Sequence, residues 1–216
     1  EIHSGDWSSD VCSSDLGDLH RHSLVSKCIP EHDGSYRDHA RFAIGCRGFD
    51  FYSITDHIEV QISHPEWREL LGLIDRLNED GSFAAVYGFE GPSNLVKGHL
   101  NFYFLDREAA EFGYRELRWM GSLKEVQRTC RERGLLGRVL CVRHFHADAL
   151  GFDDIVKGPT QLDPELDPVV EVVQGRGYSP KATRTLLRAG YRFGLMGSSD
   201  HNRPPGHPNS GVGIYE

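Results

Sequence analysis

The chain has 216 residues, 38% of them apolar and 10% aromatic, enough to build the core of one ordinary domain. Its net charge of −8 comes without any basic stripe to neutralise phosphates, so nucleic acid is not expected as a bulk partner. No run of about 18 apolar residues exists to span a membrane, and the five scattered cysteines show no CxxC pair, which points to a reduced, cytoplasmic protein without a disulfide framework.

Residues 1–16, EIHSGDWSSDVCSSDL, are Ser/Asp-rich, repeat SSD and carry no helical or strand period. They resemble a translated sequencing-adapter remnant and are set apart as a non-native tail. Residues 17–216 are then expected to form a single domain that is cut short at its C-terminus.

From Gly17, GDLHRHS reads as a short strand. Residues 36–46 place Tyr36, Ala40, Ala43 and Ile44 near helical spacing, and FDFYSITDH (49–57) is a strand ending in charge. Residues 65–79 predict a helix: Pro65 suits its first turn, and Trp67, Leu70, Leu71, Ile74 and Leu77 recur at three and four. Strands follow at 82–90 and 99–105. A helix spans 122–134, opened by Ser122 with Glu125 three residues on and closed by Gly134. Strands at 138–146 and 168–175 come next, then a helix capped by Ser179 and stopped by Gly190, a strand at 192–201 and a last strand in GVGIY. This alternation predicts an α/β fold with a mainly parallel sheet, better suited to a small barrel than to an open sheet. Trp67 and Trp119 read as core, His39 as a surface or packing residue and His64 as a loop residue.

Histidine is the unusual count, at 12, and its placement carries the functional signal. Predicted strands end in His20 and His22, in Asp56 and His57, in Glu90, in His144 and His146, and in Asp200 and His201. His99 departs from the pattern because it opens its strand. Catalytic groups of α/β barrels gather at the C-terminal strand ends, so these segments predict one convergent site. His20 and His22 are two apart and share a face of an extended chain, where both imidazoles can reach one ion. Glu90 and Asp200 can each bridge two ions that clamp a phosphoryl group. A mixed His/carboxylate set suits Zn, Mn or Fe better than Mg. Asp18 and Asp56 sit where they can orient imidazoles or cap a turn. Arg143 reads either as a bidentate phosphate ligand or as a salt-bridged residue facing away; Arg176 and Arg203 share that ambiguity. His207 lies in a Pro/Gly-rich loop and reads as solvated.

GDLHRHS, SITDH, GFE, GHLNFYF, VRHFH and GSSDH together resemble the PHP (polymerase and histidinol phosphatase) superfamily, in the order and approximate spacing of its motifs. The resemblance covers Gly17 to Glu216 and is nearest to a branch other than histidinol phosphatase itself. It implies a distorted (β/α)7 barrel of TIM-like type, two or three divalent ions (Zn, Mn or Fe) and phosphoesterase activity on a small, phosphorylated substrate. It also implies His20, His22, His57, Glu90, His99, His144, Asp200 and His201 as metal ligands. Asp56, His57 and Arg143 are the expected catalytic residues. The chain departs from the pattern where Asp200 and His201 are adjacent, so a bend is needed if both bind. It departs again where Cys28 stands near a further ligand position, with His32 and Asp33 beyond; a small buried cysteine is the simpler reading there. Hydrolysis of a C–N or C–O bond, or an inactive PHP-like binding domain, are the alternatives.

Overall fold

The computed structural model describes residues 16–28, 34–46, 48–59, 62–78, 81–91, 99–144, 162–175 and 177–200. The tail before Leu16, the expected strand at 211–215, and His32, Asp33, His146, Arg176, His201, Arg203 and His207 lie outside them. Leu16 itself belongs to the fold: it exchanges hydrogen bonds with Asp50, accepting from its backbone N–H at 2.7 Å and donating to its carboxylate at 2.8 Å.

The described strands form one eight-stranded sheet. They are β1 (Gly17–Asp18), β2 (Phe51–Ser53), β3 (Ala84–Glu90), β4 (His99–Phe104), β5 (Val139–His144), β6 (Val169–Gln174), β7 (Gly177–Tyr178) and β8 (Gly194–Gly197). The first seven lie in chain order, and β8 pairs with β6. The β1–β2, β2–β3, β5–β6 and β6–β8 pairs are parallel. β4 is antiparallel to both β3 and β5. Only residues 91–98 separate β3 from β4, too few for the crossover of a dozen or more residues that a parallel neighbour requires. The sheet curls until its ends meet. Past β8, Ser199 donates its N–H to Asp18 at 3.2 Å and its hydroxyl to the His20 carbonyl at 3.4 Å.

The helices are α1 (Tyr36–Arg41), α2 (His64–Leu77), α3 (Arg107–Arg115), α4 (Leu123–Glu132) and α5 (Pro180–Arg188). Ser63 and Glu66 close a complete capping box on α2, so the helix starts at His64, one residue before Pro65. Its buried face is Trp67, Leu70, Leu71 and Ile74, each contributing roughly 1.5–3 kcal/mol of burial. At α4, Ser122 caps as expected, but the Glu125 carboxylate reaches back to the N–H of Gly121 rather than completing a box. At α5, Ser179 occupies the cap position without a side-chain capping bond. It is pinned instead through its N–H to the Val172 carbonyl at 2.8 Å.

α3 has no counterpart among the predicted elements. Its buried face is Ala109, Ala110, Gly113 and Tyr114; the first three are too small to show an apolar period, and Gly113 looks like a breaker. The glycine is required there because a Cβ would sit 2.3 Å from the Phe104 ring. Trp119, expected in the core, is 64% exposed, and the Arg118 guanidinium lies over its ring and that of Tyr114. His39 is a packing residue, fully buried with Nδ1 2.7 Å from the Tyr52 hydroxyl. His64 stacks on Tyr114. Among the described residues, no helix is long and apolar enough to cross a membrane.

Candidate metal centre

His20 and His22 leave β1 on an extended segment held to its neighbour by the Thr55 N–H, which donates to the Arg21 carbonyl at 2.7 Å. Alternation sends the two imidazoles one way and Arg21 the other, where its Nε donates to Asp18 at 2.7 Å. β2 leads to Asp56 and His57, β3 ends in Glu90, and β5 ends in His144. His99 joins them because β4 runs against its neighbours. The first residue of a reversed strand lies level with the last residue of a forward one, and His99 pairs in register with His144.

Five imidazoles therefore close a ring. Going round as His20, His22, His57, His99, His144 and back, neighbouring ring centroids are 5.2, 4.6, 5.6, 5.7 and 4.7 Å apart. Glu90 stands inside it. Its Oε1 is 3.2 Å from Nε2 of His144 and 2.5 Å from Nδ1 of His99. Its Oε2 is 2.8 Å from Nδ1 of His57 and 3.3 Å from Nε2 of His22. Asp200 closes the other side, with Oδ1 3.2 Å from His22 and 3.5 Å from His20.

The inner imidazoles are held from behind. Nδ1 of His20 lies 2.9 Å from Glu171, Nδ1 of His22 lies 3.2 Å from the Ser26 hydroxyl, and Nδ1 of His144 lies 3.1 Å from the Gln174 amide. Supports of this kind fix ring orientation and tautomer and leave Nε2 for an ion. Gln174 faces His144 with its nitrogen while its buried amide oxygen has no hydrogen-bond partner. Half a turn of that amide would offer the oxygen to Nδ1–H, the tautomer a metal on Nε2 requires. Glu171 and Gln174 were not anticipated. Their signal is their polarity inside the apolar run VVEVVQ; Glu171 is fully buried and also accepts from the Ser198 hydroxyl at 2.7 Å.

Asp200 lies past β8 with φ of 46°, a left-handed conformation that Asp tolerates better than most residues. Gly175 lets the segment approach: its N–H donates to the Ser199 carbonyl at 2.6 Å, and a Cβ would stand 2.3 Å from that oxygen.

The charges are arranged for a cation. Burial would hold His20 below its ordinary range, but the carboxylates of Glu171 and Asp200 raise it to about 10. Burial opposes the same shift at His57, where Cys28 and Glu90 raise it to about 10. Burial would raise Glu90, yet its hydrogen bonds to His144, His57 and His99 hold it well below the carboxylate range. Asp200 is lowered too, burial being overcome by His20 and His22. Without an ion these residues neutralise one another as protonated imidazoles against carboxylates. The match is imperfect, because Nε2 of His20 is buried with no hydrogen-bond partner. Such an atom costs free energy unless something else engages it, and a divalent ion suits these N and O donors. Ligand atoms of His20–His144–Asp200, of His20–His22–Glu90 and of His57–Glu90–His99 each lie within 4.8 Å of one another.

Asp56 and Arg143, expected as catalytic residues, are both buried and engaged by neighbouring side chains. Asp56 is fully buried and accepts three bonds of 2.6 Å, from the Ser23 N–H, the Ser23 hydroxyl and the Ser26 hydroxyl. It holds the turn after His22. Arg143 alternates with His144 along β5 and points to the opposite face, where Nε and Nη2 grip Asp167 at 2.7 and 2.6 Å. Cys28, expected to be buried, is exposed.

Neither a protein-family model nor a curated protein matches the chain. Among solved structures it is similar to a two-domain protein from Bacteroides vulgatus that contains a predicted PHP-like metal-dependent phosphoesterase. The two are 20% identical with a TM-score of 0.51, over 88% of this chain and 52% of that one. The chain thus spans about half the length of that protein. It is also similar to a protein from Bifidobacterium adolescentis named as a metal-dependent phosphoesterase (14% identity, TM-score 0.49, 91% and 90% of the two chains). An amidohydrolase from Chromobacterium violaceum with bound sulfate and no metal has the same identity and TM-score, over 93% and 91% of the two chains. The first likeness establishes the fold.

Proposed function

From the PHP-like fold of this chain we propose that the protein is a metal-dependent hydrolase acting on a small phosphoric ester. The observation that carries the reading is the closed ring of five imidazoles around Glu90, with the inner three supported from behind. His20, His22, Glu90, His144 and Asp200 would hold ions at the buried end. His57 and His99, with Glu90 between the groups, would hold another at the open end, and His201 remains a candidate beside Asp200. Zn, Mn and Fe fit a mixed imidazole and carboxylate set. Bound ions of this kind supply Lewis acidity toward a phosphoryl oxygen and a water nucleophile near neutral pH.

The chain's residues set access and orientation. His57 and His99 retain 17% and 29% of their side-chain surface, against 0–2% for His20, His22 and His144. The site therefore opens on the His57/His99 side, where a substrate would enter. Glu171, Ser26 and Gln174 hold the inner imidazoles in place, so little reorganisation accompanies ion binding.

The test is hydrolysis of p-nitrophenyl phosphate and bis-p-nitrophenyl phosphate after reconstitution with Zn, Mn or Fe(II), beside a panel of amides, esters and glycosides. Phosphoester turnover that disappears in His20→Ala and Glu90→Ala supports the proposal. Turnover confined to the other panel reassigns the bond cleaved, and metal binding without turnover on any substrate identifies a binding domain. Full activity in both variants rejects the site.

A further inference from the structure

We propose that Asn101 is a further residue of the hydrolytic site: its side-chain oxygen accepts a hydrogen bond from a water molecule at the floor of the imidazole ring and orients that water for attack. The proposal rests on the metal-dependent reading above. Asn101 faces Glu90 across the β3–β4 ladder. The next pair along is the hydrogen-bonded one, the Gly91 N–H donating to the Leu100 carbonyl at 2.7 Å. Glu90 and Asn101 therefore form a non-hydrogen-bonded pair, the kind whose side chains come closest. Asn101 follows His99 by two residues and shares its face, one pair deeper in the barrel, where it is fully buried.

The amide is oriented from below. The buried Tyr103 hydroxyl has one proton to give, and it donates it to the Leu19 carbonyl at 2.9 Å. At 3.1 Å from Asn101 it must therefore receive, and it does so from Nδ2. The amide nitrogen is thus committed to Tyr103, two residues deeper along β4. That leaves Oδ1 buried with no hydrogen-bond partner. Turning the amide, the remedy at Gln174, fails here. It would set oxygen against oxygen, or take from the Leu19 carbonyl the proton it receives.

Neither register partner can supply the donor. Asn101 lies between Glu90 and Val142; an ionised carboxylate only accepts, and a valine side chain does neither. Two acceptors held side by side call for a donor between them, and water, with two protons, is the smallest that serves both. This place lies below the ring, while a substrate enters from the His57/His99 side. Water and substrate then approach from opposite sides, as in-line displacement at phosphorus requires. In that step the water oxygen forms the new bond to phosphorus as the bond to the leaving oxygen breaks. One water proton stays on the phosphate formed and the other ends on the leaving alcohol. The amide takes neither; it fixes where the water's oxygen points.

A crystal structure of the zinc-loaded wild type reads the water directly and needs no variant to fold. A water oxygen is expected at about 2.6–3.2 Å from Asn101 Oδ1. An ion bonded to that oxygen, or a protein donor in the water's place, overturns the proposal. In Asn101→Leu, which keeps the branched shape, kcat on p-nitrophenyl phosphate should fall by at least about ten-fold, the worth of one hydrogen bond. KM, metal content and the shape of the pH–rate profile should stay as in the wild type. Metal lost in parallel with kcat would make Asn101 part of the scaffold and overturn the proposal, as would full kcat. If the variant does not fold, the crystal structure decides. Turnover by a wild type that lacks the water overturns this proposal and leaves the hydrolase reading standing. A wild type that binds ions and turns over no ester overturns both.

Discussion

Glu171 on β6 lies 2.9 Å from Nδ1 of His20, a residue 151 positions earlier in the chain. The carboxylate is fully buried and shared with the Ser198 hydroxyl, so it has one evident task, to orient the imidazole and raise its basicity. Glu171→Gln keeps the shape and removes the charge. Metal affinity is expected to fall roughly 10–100-fold, measured by competition with a chelator, with far-UV circular dichroism unchanged. Affinity equal to wild type would show that His20 is not a ligand.

Among the described residues, Glu90 is the one carboxylate within reach of four imidazoles. Glu90→Gln should therefore lower the number of ions retained per chain, not merely weaken one of them. Elemental analysis after gel filtration checks this. An unchanged metal count would remove Glu90 from the bridging role.

The metal-free and metal-loaded forms should respond oppositely to pH. His20 and His57 have folded pKa values raised from 6.5 to about 10, despite burial that works the other way. The stability each contributes to the metal-free protein is complete below pH 6.5 and is lost as pH rises through about 10. Metal binding needs these rings neutral, so it expels protons and tightens over the same window. Thermal melts with EDTA should fall with rising pH while the stabilisation given by zinc grows. Parallel curves would show that neither imidazole takes up the ion.

Asp56 distinguishes positioning from proton transfer. Asp56→Asn leaves a buried amide facing groups that donate to a carboxylate, at a cost of about 1–3 kcal/mol in a denaturant melt. The turn that carries Ser26 loosens, so metal affinity falls as well. The shape of the pH–rate profile should stay the same. Loss of one limb of that profile would mean that Asp56 itself transfers the proton.

Asp106 provides a control away from the site. It caps α3 by accepting from the Ala109 N–H at 3.0 Å and pairs with Arg138 at 2.7–2.8 Å. Asp106→Ala should destabilise the fold by about 1–2 kcal/mol with metal affinity intact. A parallel loss of metal would mean that affinity follows global stability, and the Glu171 and Asp56 results would need rereading.

Much of this was legible from local pattern. α2 and α4 follow from apolar spacing and capping residues, and the shared face of His20 and His22 follows from strand alternation. Arg143 shows the limit of the same rule. Alternation says that it and His144 part ways, but not which of them faces the ions; the pairing with Asp167 decides that. His99 seemed an exception only while its strand was taken to run forward, although the short 91–98 link already implied a reversal. α3 was invisible because three of its four buried residues, Ala109, Ala110 and Gly113, are too small to mark an apolar period.

By itself, then, the amino-acid sequence determined an α/β fold and a set of ligand-type residues at strand ends, with His20-x-His22 on one face. These depend on backbone periodicity and on neighbours a few positions away. The tertiary structure alone decided that five imidazoles form one ring around Glu90, that Glu171 and Gln174 stand behind it, and that Asp56 accepts from Ser23 and Ser26. Those relationships are set by which strands lie side by side and how far the sheet curls, through contacts between residues more than a hundred positions apart, which no local period encodes.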